Sequence, residues 1–189
     1  SYPDECLGNH GAKTNIRAKG IDHVLAMKFD TAPIKGMVIE KAVLRFTKTG
    51  NDFFWLDVST IATDWVEGKG TSEKPDEEGR GSCFLFASWA PDVREAKPWG
   101  RFPIDAVTPE MMRDSKQFSR AFSLPHDDFT DASFYPGRCI FKDFIPVRKV
   151  DENLREMDVP PQIVEAMAAG VSYGMALHDG AGETGWNST

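Results

Sequence analysis

The stretch Gly36 to Glu67 holds MVIEKAVLRF (residues 37–46) and then FFWLDVSTIATDWVEG, which runs one residue further (53–68). From Lys41 to Thr47, Ala42, Leu44 and Phe46 point one way and Arg45 and Thr47 the other. A period of two marks a half-buried strand, because successive side chains leave opposite faces. Phe53 to Ile61 alternates too, with Phe54, Leu56 and Val58 on one face and Phe53, Trp55 and Asp57 on the other. Apolar residues on both faces predict a strand covered on both sides, and they leave Trp55 free to lie on either. Between the two runs, Thr49-Gly50-Asn51-Asp52 is turn chemistry, so a hairpin is expected.

Working outward, residues 1–20 are polar and broken by Gly8, Gly11 and Gly20, with a short edge strand expected at Thr14–Ala18. Val24–Asp30 alternates, with Leu25, Met27 and Phe29 on one face, and Thr31–Gly36 reads as a turn. On the other side, GKGTSEKPDEEGRG (68–81) contains no hydrophobic residue and reads as a long solvated loop. Strands are expected at Ser82–Trp89, Phe118–Leu124, Arg138–Val150 and Val171–Leu177. Pro146 inside the third of these predicts an edge or a bulge. Thr108-Pro109-Glu110 starts a helix that ends near Gln117, and Pro160-Pro161 opens a second within Asp158–Gly170. The sum is an all-β chain, a jelly-roll-like β-sandwich with two short helices and long loops, in one domain spanning 1–189.

The chain has 189 residues, enough for a sizeable core, and its net charge is −7. That balance argues against nucleic acid, whose phosphates need Lys and Arg. It leaves room for an anionic glycan at a local basic patch. No apolar run approaches the roughly 18 residues that span a bilayer. Cys6, Cys83 and Cys139 form no C-x-x-C pair, which argues against zinc. They are either three reduced buried thiols or one bridge and a spare. His10, His23, His126 and His178 are scattered, and no nucleophile elbow, P-loop or dinucleotide fingerprint occurs. The expectation is therefore not an enzyme.

One further pattern runs through the N-terminal half. Gly8-Asn9-His10-Gly11 is followed by Thr14-Asn15-Ile16-Arg17, LAMKFD (25–30), Pro33-Ile34-Lys35-Gly36, the Ala42–Phe46 strand and Asp64-Trp65-Val66-Glu67-Gly68. This resembles the DNRLRE-type domains, bacterial β-sandwich modules related to carbohydrate-binding modules. The likeness covers residues 8–71, with a weaker echo from Phe144 to Gly180. Residues 72–143 depart from the pattern and are longer than usual. The resemblance implies non-catalytic polysaccharide binding by a secreted or cell-surface bacterial protein, the module being tethered to other domains of its parent. A structural or adhesive module is the alternative, and a polysaccharide-degrading domain with scattered catalytic groups is the second.

Sugar rings stack their C–H faces on flat aromatics, so exposed Trp residues in loops are the natural platform. Trp89, Trp99 and Trp186 each sit at a strand end or in a Gly/Pro loop, although packing in a core or rim competes for each. If the ligand is acidic, Arg94, Lys97 and Arg101 flank Trp99 and would bind carboxylate or sulfate. Trp65 and Glu67 read as a packed indole and a satisfied carboxylate. Modules of this kind often carry a structural calcium ion, for which Asp4, Glu5, Asp179 and Glu183 are the candidate ligands.

Overall fold

The structure is a computed structural model that describes residues 5–18, 23–99, 106–114 and 140–178. The chain gathers into two compact units, one of residues 1–14 and 63–137, the other of 15–62 and 138–189. Within the described residues the strands are β1 (Leu25–Met27), β2 (Ala42–Thr47), β3 (Trp55–Thr60), β4 (Phe86–Ser88), β5 (Lys97–Pro98), β6 (Phe141–Lys149), β7 (Leu154–Val159) and β8 (Met175–His178). One α-helix, α1 (Pro161–Ala168), and two 3-10 turns (Ala32–Ile34, Met111–Arg113) accompany them. The chain is β-rich, as expected.

The second unit is built on a six-stranded antiparallel sheet in the order β1-β8-β3-β6-β7-β2. Ala42, Leu44 and Phe46 pack on its core, as their alternation requires. The expected hairpin does not form, because β2 pairs with β7 and two strands separate it from β3. The cause lies in the corner read as a hairpin turn. Asp52 accepts a 2.6 Å bond from Arg155 Nε, and Lys48 N donates to Asn153 O at 2.8 Å. The corner is therefore pinned to β7.

β7 itself escaped the sequence reading. Its inward residues are Arg155, Met157 and Val159, and a charged residue on the buried side hides the alternation. Phe53 also departs from expectation. It is buried, with its ring edge-on to Phe46 at 6.4 Å, whereas Phe54 is exposed. Regular alternation begins only at Trp55. Phe29, placed inward with Leu25 and Met27, is exposed as well.

Pro146 does not mark an edge, since β6 is paired on both sides. It falls where β6 changes partner, pairing with β3 up to Pro146 and with β7 from Val147. The anticipated bulge lies just before it. Leu56 faces Ile145 and Val58 faces Lys142, so Asp57 alone opposes Asp143 and Phe144. Phe144 takes the left-handed conformation (φ 51°), and its N–H donates to Asp57 Oδ1 at 2.9 Å.

Helix α1 opens on Pro161 and lays Ile163 and Met167 against Leu56, Val58, Ile145 and Met157. It stops at Gly170, whose φ of 76° suits glycine. Each large aliphatic buried here contributes about 1.5–3 kcal/mol, so this face of the sheet is the one that packing fixes.

The first unit has its own core of Leu7, Leu85, Phe86, Trp89, Val93 and Met112, with β4 and β5 as a small pair. Residues 68–81 are not a merely solvated loop. They wrap two buried polar side chains, Asn9 and Asp76. Asn9 Nδ2 donates to Glu67 O (2.8 Å) and Ser82 O (2.7 Å), while Oδ1 accepts from Gly70 N (2.8 Å) and Gly11 N (3.1 Å). Gly68 has φ 81°, and a Cβ there would sit 2.6 Å from Asp76 Oδ2. Polar satisfaction does here what apolar burial does elsewhere.

Candidate functional site: an aromatic and charged sheet face

Because Leu56 and Val58 turn into the core, Trp55 and Asp57 occupy the opposite face of β3. Trp55 stands directly across from Pro146 and remains 37% exposed. Phe54, next in the chain, is 67% exposed, and Phe144 in the bulge is 55% exposed. Three exposed aromatic residues therefore flank or lie within the β3–β6 pair, Phe54 just before β3, Trp55 at its start and Phe144 in the bulge.

The same face continues onto charged residues. Arg148, two residues beyond Pro146, is paired in register with Glu156 on β7, and Glu156 with Arg45 on β2. Arg148 Nη1 and Nη2 donate to the two oxygens of Asp158 at 2.7 and 3.0 Å, and Nη2 also reaches Glu156 Oε1 at 3.1 Å. Arg45 Nε donates to Glu156 Oε2 at 3.1 Å. The Arg148 bonds hold both carboxylates below their usual range, with Arg45 adding to the effect on Glu156 and Lys41 on Asp158. The ladder stays ionised through neutral and mildly acidic pH. From β3 to β2 are three strand steps, which at ordinary spacing is about 14 Å.

The residues favoured by sequence reasoning fall elsewhere. Trp89 is fully buried, and its indole N–H donates to Met112 O at 2.9 Å, so it is a core residue and no platform. Its glycine- and proline-rich surroundings suggested exposure, but the indole fills the first unit's interior. Trp99 is half-buried, with its N–H bound to Cys83 O at 2.8 Å. Trp65 is packed, as read. Trp186 and Arg101 lie outside the described residues.

Arg94 is exposed and gripped by Asp92 through Nε (3.0 Å) and Nη2 (2.6 Å). These bonds pull the Asp92 carboxyl down to about 2. Arg94 lines an open cleft of about 520 Å³ with Pro91, Val93, Val107, Pro109 and Arg113. Lys97 is exposed on β5, opposite Ser88. Of the calcium candidates only Glu5 is described, in a turn where its carbonyl accepts from Gly8 N. Asp4, Asp179 and Glu183 lie outside the described residues.

Trp55 is thus the residue that sequence reasoning left open and the structure brings forward. The sequence could not choose its side, because the run read from Phe53 to Ile61 carries apolar residues on both faces and β3 begins only at Trp55. Among the described residues no helix is long and apolar enough to cross a membrane. No family model matches the chain, and neither a curated protein nor a solved structure does.

Proposed function

We propose that the protein is a non-catalytic polysaccharide-binding module of a larger exported bacterial protein, framed as a jelly-roll-like β-sandwich. The observation that carries this reading is the exposure of Trp55, across from Pro146 on the sheet face, with Phe54 before it in the chain and Phe144 in the bulge also exposed. Exposed rings on a sheet suggest an interaction site, because burying them in the core would have been favourable by a few kcal/mol each. Flat rings beside fixed donors and acceptors suit a sugar, which offers C–H faces to the first and hydroxyls to the second. The likeness of residues 8–71 to DNRLRE-type domains points the same way. In this reading a calcium ion bound through Asp4, Glu5, Asp179 and Glu183 is a structural accessory.

Affinity electrophoresis of the purified chain through gels cast with polysaccharides tests the proposal. Retardation without release of reducing ends is expected. Normal migration in every polymer would favour the adhesive module, and release of new ends would favour the degrading domain.

A further inference from the structure

We infer that the sheet face selects an uncharged polysaccharide and discriminates against uronic or sulfated chains. This rests on the reading above and names the ligand class for the same face. The selection is electrostatic. The ladder next to Trp55 contains two guanidinium groups, Arg45 and Arg148, and two carboxylates, Glu156 and Asp158, bound to one another. Its formal charge is zero.

Arg148 is already bound to two carboxylates. Nη1 and Nη2 together hold Asp158, and Nη2 is shared with Glu156. An incoming carboxylate or sulfate would have to bind at the N–H groups left over or displace one of these residues. In either case it would lie beside Asp158 or Glu156, and like charges at contact distance oppose binding. Arg45 has donors left over, but its Nε is bound to Glu156, so an anion there also meets that carboxylate. Lys41, just before β2, also acts on Asp158 and is a single charge beside a carboxylate that Arg148 already holds.

A hydroxyl faces no such conflict. It donates and accepts, so it can bond a carboxylate oxygen and a guanidinium N–H along an intact ion pair. A pyranose stacked on Trp55 and Pro146 would lead its chain along the row Arg148, Glu156, Arg45. Those side chains are immobilised before the ligand arrives, which lowers the ordering cost of binding.

The test compares the full chain in gels containing a neutral β-glucan, a neutral mannan, a polyuronate and a sulfated galactan, at low and high salt. The expected result is retardation by a neutral polymer, unchanged by salt. Trp55→Ala should weaken that retardation about tenfold, the upper end of what an aromatic contact supplies. Its side chain is partly exposed, so the variant should melt close to the parent. Arg148→Ala should weaken retardation by the neutral polymer, because the ordered ladder is lost. Retardation by the polyuronate or the sulfated polymer alone, abolished by salt, would overturn the inference while leaving the polysaccharide reading standing. Migration unaffected by all four would overturn both. Binding of a neutral polymer that Trp55→Ala and Arg148→Ala leave intact would move the site off this face and overturn the inference alone.

Discussion

Asn9 shows how one side chain can hold a loop that has no apolar residue. It satisfies the carbonyls of Glu67 and Ser82 and the N–H groups of Gly11 and Gly70. Asn9→Ala would leave these groups without partners. At about 1–3 kcal/mol for each buried group left unsatisfied, a loss of roughly 3 kcal/mol or more is expected, visible as a lower urea midpoint. A midpoint within error of the parent would mean that water replaces the amide. Cys83 supplies a second test at this scale. Burial pushes its thiol up to about 12, outweighing the Leu85 and Phe86 N–H bonds that act in the other direction. Folded protein should therefore leave Cys83 unmodified by a thiol reagent at pH 8, and denaturant should expose it.

At the scale of elements, the loop 68–81 and the β6–β7 hairpin rest on charged groups turned inward. Burial alone would raise the Asp76 carboxyl, but backbone N–H groups of Lys69, Gly79, Gly81 and Gly70 bring it below its usual value. Its folded pKa is thus lower than its unfolded one. The group adds stability at all pH above about 4, and that contribution is lost as pH falls through the lower folded value. Asp76→Asn should be less stable than the parent at neutral pH, and the gap should close in acid. A gap that is the same at every pH would show that the charge is irrelevant. In the hairpin, Arg155 binds Asp52 and the carbonyls of Asp151 and Leu154 from a buried position. Asp52→Ala would strand that guanidinium, so a lower melting temperature is expected. It should fall further than in Arg155→Met, which removes the charge as well.

Across the whole molecule, what could be read in the sequence followed apolar alternation. Ala42, Leu44 and Phe46 declared β2, and Ile163 and Met167 declared α1. The partner of β2 was hidden, because turn residues at 49–52 look the same whether the next strand folds back or another arrives to pair. β7 was hidden by Arg155, and the order in 68–81 by the polar chemistry of Asn9 and Asp76. For the site, tryptophans were legible but their exposure was not: Trp89 went to a core and Trp55 to a face. Two cores also mean two classes of destabilising change. Met157→Ala should cost about 2–5 kcal/mol, read as faster amide exchange through β3, β6 and β7.

One detail of the sheet bears on how such a chain could be rebuilt. The polypeptide leaves β3 after Thr60 and returns at Phe141, which pairs with Ser59. Departure and return are thus neighbours on adjacent antiparallel strands. The intervening 63–137 segment, with residues 1–14, is a compact body of its own. Geometrically it is a graft on a hairpin, and a tight turn could bridge the same gap. A recombinant form that lacks residues 1–14 and carries a few glycine-rich residues in place of 63–137 should keep the six-stranded sheet and its circular-dichroism signature. The seam between Thr60 and Phe141 would then be a port for exchanging modules, open to insertions of other lengths and origins.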